Sequence, residues 1–582
     1  MQNQPTAPSS SRDSLQRNAF TAPEFELDLQ MSSSPNIDPP STSQFHPSFL
    51  SIPPDWRVFK PPPCSQLHSS FIPTQEDELR IKTTISEIDS TLVGVDDEML
   101  RLKTALADLE GYRSSLQNNI QEHQAVISSI RHLPHEILAE IFTFAAEGHF
   151  PKWPFDADGH DSIPWVLGKV CSYWRVVALS LPKLWSEIHL DLDSVAEPRP
   201  GEPKMDTILA RRSNRVQELL QACLVRSGNE MLVFSVASSK SLATKETLKP
   251  VLTLLVQQAE RWADAAFSLD YLLYFHIDLS PAKNRVHNLR RLQIGTYQQD
   301  DDIYLRPLEA FEFAPKLREL KMMNVLHPFY TLRVPWSQIT SLVSKSTIFR
   351  EGEFTDIMRH AVNLGSFTTE GERIIEVASS QPVLLSHLSD LTIISKGSYI
   401  PKTFQFLTMP NLQKLTVHAL TPFLADQTIP MLTRSECKPV QLTFSSSLDE
   451  NAVWEENIGI VRFLGELPSL TSLHLIVIRS ANEIMPRLHC RHQLAPPSML
   501  PNLQTIKLED RLCLSATMMV EALSSRIENY DTARWGPWPK DRTSLKSITL
   551  SLSRPPAPVY PELDALEDAA SKLGVEIKVV TR

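Results

Sequence analysis

From Ile81 to Ile130 the chain places Ile81, Ile85, Ile88, Leu92, Val95, Met99, Leu102, Leu106, Leu109, Arg113, Leu116, Ile120, His123, Ile127 and Ile130 at alternating steps of four and three. Thirteen of these 15 positions are apolar. A 3.5-residue period held this long predicts a coiled coil, because an isolated amphipathic helix needs no such seam. Thr74, with Asp77 three residues on, can cap the helix, and its acidic first turn suits the positive end of the helix dipole. At ~1.5 Å per residue, 74 to 130 would extend about 85 Å. Arg113 and His123 weaken the seam and can fix its register. Gly94 and Gly111 cost about 1 kcal/mol each, and VGVDD at 93–97 leaves open a turn between two helices folded on each other. Both forms imply packing or assembly, with a homodimer through 74–130 as the partner expected of the first.

A different pattern follows over 132–190. Pro134 can occupy the first turn of a helix, and Ile137, Leu138, Ile141, Phe142 and Ala145 then form one broad apolar side. A polar loop with Pro151, Pro154, Gly159 and Pro164 ends it. A second helix is expected from near Trp165, with Val166, Val170, Tyr173 and Val177 on one side and Cys171, Trp174, Ala178 and Leu181 on another. Helices apolar around most of their circumference need cover on more than one face. About 60 residues are too few to supply it all, so part of this surface is expected to go to a partner protein.

Beyond residue 190 one phrase returns, apolar-x-x-apolar-x-apolar: LRRLQI at 289, LRELKM at 317, LSDLTI at 388, LQKLTV at 412, LTSLHL at 470, LQTIKL at 503 and LKSITL at 545. ITSLVS at 339 and QLTFSS at 441 read as degenerate copies, and TDIMRHAV and MMVEALSSRI as intervening helices. This rhythm predicts a leucine-rich solenoid with a short inward-facing strand per repeat; uneven spacing leaves the repeat number open, and doubly wound α/β packing is the alternative. PELDALEDAASKLGVEIKVV reads as a final helix and strand, with Leu563, Leu566 and Leu573 on a shared side. Residues 1–73 hold 13 prolines and 14 serines, too little apolar material to offset the entropy of ordering, and are expected to be a disordered tail. The expected architecture is therefore multidomain: tail 1–73, coiled coil or helical hairpin 74–131, small all-α unit 132–190, and α/β leucine-rich-repeat-like solenoid 191–582.

Composition narrows the function. A formal charge of -11 argues against a general nucleic-acid surface. No apolar run approaches the ~18 residues of a membrane span, and the first residues lack the pattern of a secretory leader, so a cytoplasmic or nuclear location without membrane contact is expected. Six cysteines without repeated spacing indicate neither a disulfide framework nor a zinc ribbon. PHEIL begins like the zinc-protease pair His-Glu-x-x-His, but Ala139 stands where the second His belongs, leaving His135 as an exposed helix-start residue. His489, Cys490 and His492, with Cys513 further on, lack the paired spacing of a metal site. There is no GxGxxG, Walker loop or GxSxG elbow. We expect no catalytic residue, cofactor or metal.

The segment LPHEILAEIF, followed by VLGKVCSYWRVVALSLPKLWSEIHL, closely resembles an F-box, in particular that of the large F-box family of mushroom-forming fungi. QEHQAVISSIRHLP, LLQACLVRSGNEMLVFSV, ERWADAAFSL, FEFAPKLRELKM and VPWSQITSL are similar to that family more softly, up to about residue 345. The resemblance implies that Leu133, Pro134, Ile137, Leu138, Ile141 and Phe142 dock on the adaptor subunit of an SCF-type cullin-RING ubiquitin ligase. It further matches Cys171 and Trp174 to the family's Cys-x-x-Trp phrase, and Leu184 and Trp185 to its closing Leu-Trp. The loop Gly148 to Pro164, carrying Trp153 and Phe155, is longer than in a minimal F-box. By the same resemblance, the solenoid would hold an unknown substrate protein, the adaptor would link the chain to cullin, and ubiquitin chemistry would belong to other subunits. The alternative is a non-catalytic scaffold or regulator that uses the coiled coil and solenoid without ubiquitin transfer.

Overall fold

The computed structural model describes residues 60, 72–146, 163–196, 205–239, 241–297, 306–350, 352–371, 373–374, 382–394, 406–419, 424–446, 460–477, 481–489, 499–510, 516–535, 537–552 and 561–581. Nearly all of the expected tail, the loop residues Trp153 and Phe155, and Cys490, His492 and Cys513 lie outside this set. The chain divides into two compact units, up to Arg131 and from His132.

In the first unit a single helix, α1, runs from Gln75 to Val126, 52 residues. Thr74 caps it reciprocally: its Oγ1 accepts the Asp77 N–H at 3.3 Å, and its own N–H donates to Asp77 Oδ2 at 3.1 Å. These bonds hold the Asp77 carboxyl below its ordinary pKa. Glu78–Lys82 and Glu98–Arg101 pairs line the exposed surface. Residues 93–97 are helical throughout. The expected alternative of a turn there is therefore corrected: one glycine costs about 1 kcal/mol, which the cooperativity of a 52-residue helix absorbs.

The second unit is built on a 14-stranded sheet whose strands follow one another in chain order, all parallel. They are β1 (Glu187–Asp191), β2 (Leu232–Ser238), β3 (Trp262–Leu269), β4 (Arg291–Thr296), β5 (Glu319–Met323), β6 (Ser341–Lys345) and β7 (Ser366–Glu370). The second half comprises β8 (Asp390–Ile394), β9 (Lys414–Ala419), β10 (Gln441–Ser446), β11 (Ser472–Val477), β12 (Thr505–Asp510), β13 (Ser547–Leu552) and β14 (Glu576–Thr581). All nine phrases read from the sequence lie on these strands. Helical segments between strands include Glu353–His360, Ala516–Ser524 and Pro561–Lys572. The arrangement is solenoid-like, and β1 begins before the boundary expected at 190.

Register is set by a recurrent backbone device. The N–H groups of Arg318 and Glu319 both donate to the Arg290 carbonyl, those of Thr340 and Ser341 to Arg318, and those of Gly365 and Ser366 to Thr340. The same forked bond recurs through Ser389–Asp390, Gln413–Lys414, Val440–Gln441, Thr471–Ser472, Gln504–Thr505 and Lys546–Ser547. Each strand thus enters at the same height as its predecessor. Alternate side chains, such as Leu292 and Ile294, Leu415 and Val417, or Leu473 and Leu475, then fall on one buried face. At the C-terminal end Leu563 and Leu566 are buried, but Leu573 is exposed. The helix stops at Lys572, and Gly574 at φ 75° turns the chain into β14, which takes Leu573 off the shared side expected for it.

Preceding β1 is a cluster of short helices: α2 (His135–Ala146), α3 (Ile163–Val170) and α4 (Ser172–Leu179), then a 3-10 turn over Pro182–Trp185. The single second helix expected from Trp165 is thus two helices. Cys171 breaks it, with an extended backbone and a thiol Sγ that accepts the Trp174 N–H at 3.5 Å as the cap of α4. Beyond the cluster, α5 (Met205–Arg226) and α6 (Ser241–Gln257) connect β1, β2 and β3.

Candidate functional site

The helical cluster has an inside and an outside, and α2 contributes to both. Leu138 and Phe142, one turn apart, are fully buried. The Phe142 ring meets Trp174 of α4 with centroids 4.9 Å apart at 59°, an aromatic arrangement stronger than its buried area alone. Val177, Ala178, Leu184 and Trp185 complete this interior. Trp185 Nε1 donates to the Ala178 carbonyl at 2.9 Å, which satisfies the one polar atom of that ring.

Trp185 also meets Trp165 edge-on at 5.0 Å. Into this pair comes Arg226, the last residue of α5, whose guanidinium carbon lies 4.7 Å from the Trp165 ring centroid and 4.5 Å from that of Trp185. Desolvation holds the Arg226 pKa below its ordinary value, opposed by nearby Cys223. The buried Nη1 of Arg226 and Nε1 of Trp165 have no hydrogen-bond partner, so the ring faces are what stabilise the cation. Cys223, one turn earlier on α5, is buried, and burial pushes its thiol up to about 12. Just beyond α5, Gly228 takes the left-handed conformation, φ 52°, that closes the helix.

The outside is apolar as well. Ile137 and Ile141, 44% and 40% exposed, form a stripe with Phe144, 78% exposed. Val166, Val170, Tyr173, Val176 and Leu179 are exposed on α3 and α4. Such a concentration of large apolar side chains on a small helical unit is a surface that gains free energy when covered. The Tyr173 hydroxyl donates to the Leu133 carbonyl at 3.4 Å, and Ser180 Oγ lies 3.4 Å from His135 Nε2. His135 is thereby half-buried and not the exposed residue expected.

The ten residues matched to a docking surface therefore divide. Pro134, Ile137 and Ile141 are exposed; Leu133, Cys171 and Trp174 are half-buried; Leu138, Phe142, Leu184 and Trp185 are interior. The last four support the surface from beneath, because reaching a partner would require opening the cluster. Phe144 was missed, although its spacing of seven from Ile137 and three from Ile141 continues their stripe. Arg226 was missed because nothing local marks an arginine 41 residues after Trp185 as its neighbour.

A second surface lies on the open face of the sheet. Thr368, Thr392, Thr416 and Thr443 are aligned across β7 to β10, and the same row continues into His474 and Lys507. His474 Nε2 is 3.1 Å and Lys507 Nζ 2.7 Å from Glu509 Oε1. Burial, then the Lys507 charge, keep the His474 pKa below its ordinary value. Hydroxyls and mixed charges at strand spacing suit recognition of a polar chain. Among the described residues no group of three or more His, Cys, Asp or Glu could hold a metal ion, and no helix is long and apolar enough to cross a membrane. Comparison with protein-family models and with curated proteins finds no match for this chain.

Proposed function

We propose that this chain is the substrate-recognition subunit of an SCF-type cullin-RING ubiquitin ligase, in which the helical cluster is an F-box and the sheet is a leucine-rich-repeat-like solenoid that holds the substrate. The observation that carries this reading is the double-sided α2. Leu138 and Phe142 are spent on the cluster's own core, while Ile137 and Ile141 on the same helix remain open beside Pro134. A helix whose only task was to cover the end of the sheet would have no use for that second apolar side. In the proposed assembly the adaptor covers it, and through the adaptor the chain meets cullin. The chain itself transfers nothing: it raises the effective concentration of substrate lysines near ubiquitin activated elsewhere. Isolation of the intact protein with identification of co-purifying chains tests this. An adaptor together with cullin supports it; a protein that retains other partners while lacking both is a scaffold.

A further inference from the structure

The seam of α1 is uncovered: no residue of the helix is buried, and Leu106 and Ile120 are each 57% exposed. A straight helix carries a seven-residue repeat around its surface by about 20° per heptad, so seven heptads turn the stripe through about 140°. No flat surface follows such a stripe. A second helix supercoiled around the first does.

The flanking charges suit a second copy of the chain in either direction, since a parallel pair would set Asp77 against Lys82 and Glu98 against Lys103; the seam residues decide between the directions, and the charges then fix the register. With Ile85, Leu92, Met99 and Leu106 as a positions, and Ile88, Val95, Leu102 and Leu109 as d, the e positions hold Lys82, Asp89, Asp96, Lys103 and Glu110. Two copies running in the same direction would stack Arg113 on Arg113 inside the seam. They would also put β-branched Ile88 and Val95 at d with Leu92 and Met99 at a, a combination that disfavours parallel pairs. Two copies running in opposite directions mix a with d in every layer. The antiparallel register that faces Lys82 with Glu110 also faces Asp89 with Lys103, each twice by symmetry. A shift of one heptad one way sets Lys82 against Lys103, and the other way Asp89 against Glu110. Like charges meet only at the crossing, Asp96 on Asp96 and Glu98 on Glu98, and Glu98 is already bound at two points, 2.6 and 2.7 Å, by Arg101 of its own helix. In the same register Arg113 shares a layer with Ile81 of the second copy and lies one turn from its Glu78, where a parallel pair would set it against Arg113.

We propose that α1 pairs with α1 of a second copy of this chain as an antiparallel coiled coil that crosses near Asp96. The pairing does not rest on the ligase reading. It sets the two Val126 ends about 90 Å apart at ~1.5 Å per residue, where a parallel pair would bring them side by side. Whatever each copy binds beyond α1 is then presented from opposite ends.

Sedimentation of the intact chain, with a charge exchange at exposed positions that leaves the helix folded, tests both parts. The native chain is expected to associate into a species of twice its 65.8 kDa. Lys82→Glu with Lys103→Glu should weaken that association about 10- to 100-fold at low salt, because four attractive contacts become repulsive. Adding Asp89→Lys and Glu110→Lys should restore it. A chain that sediments at 65.8 kDa at every concentration overturns the pairing. A dimer that stays weakened in the fourfold variant overturns the antiparallel register, because in a parallel pair Lys103→Glu sets a carboxylate against Glu98 of the second copy and neither added lysine relieves it.

Discussion

Arg226 and Trp185 tie the helical cluster to the sheet: the guanidinium at the end of α5 lies 4.5 Å from the ring that closes the cluster and 4.7 Å from Trp165, whose ring adjoins that of Trp185. Two effects compete at this site, attraction between cation and rings and the cost of desolvating a charge whose Nη1 has no hydrogen-bond partner. Arg226→Ala should lower stability by about 1–2 kcal/mol, through lost packing as well as lost charge. Arg226→Met keeps the packing and removes the buried charge, so it should cost less than Arg226→Ala. Urea unfolding followed by tryptophan fluorescence measures both; any loss in Arg226→Met would show that the cation contributes more than its desolvation costs, and equal losses in the two variants that the retained packing contributes nothing.

The division of α2 into inward and outward residues separates folding from docking. Ile137→Asp and Ile141→Asp alter side chains that are 44% and 40% exposed, so each should change stability by about 0.5 kcal/mol or less. Both should abolish adaptor co-purification under the proposed function. Leu138→Asp places a carboxylate in a fully buried position, and should cost about 3 kcal/mol or more and unfold the cluster. Adaptor binding that survives Ile137→Asp with Ile141→Asp would remove this face from the docking surface.

Much of the sheet was legible because one phrase sets one strand: each strand from β4 to β6 begins two residues after the first apolar residue of its phrase. The strands that escaped notice carry the same phrase in other letters, although β2 begins one residue after Met231 and β3 at Trp262 itself. WSEIHL leads into β1, MLVFSV into β2 and WADAAF into β3, with Trp, Met and Ala where the later copies favour Leu. LGSFTT at β7 hides because Thr369 fills an inward position, where it is buried nonetheless. The faces of α2 were harder to separate. Adjacent residues such as Ile137 and Leu138 are both apolar, and which points inward is decided by Trp174 and Val177, distant in sequence. A local pattern can show that two faces exist; only the fold assigns them.

A polar residue just before the phrase is a further signal that hydropathy passes over. Asn288, Asn363, Asn411 and Asn502 each donate through Nδ2 to a carbonyl of the preceding repeat, at Glu260, Ser337, Ser386 and Pro468, over 2.6 to 3.0 Å. Ser469 makes the equivalent bond to Pro439. A side chain that spans the step between repeats fixes their spacing while remaining at the surface. Asn411→Ala should therefore cost about 1 kcal/mol, and Asn288→Ala with Asn502→Ala should be nearly additive, since the sites share no partner. Denaturant midpoints of the single and double variants provide the test; loss well below this value would mean that water replaces the bond at no cost.

Alkaline pH isolates the thiol behind the Arg226 site. Burial pushes Cys223 up to about 12, with the Arg226 charge acting in the opposite direction, against about 8.5 for a thiol in the unfolded chain. Between these values the folded state keeps a proton that the unfolded state releases, so stability falls as pH rises. The contribution is complete below pH ~8.5 and lost progressively towards pH ~12, with a slope of up to about 1.4 kcal/mol per pH unit. Cys223→Ala removes the ionising group but leaves every other alkaline titration in place. The stability difference between the native chain and this variant, measured by urea unfolding at pH 7.5, 9 and 10, should therefore shrink as pH rises. A constant difference would mean that Cys223 ionises as easily in the folded chain as in the unfolded one, and that α5 opens to water beside Trp185.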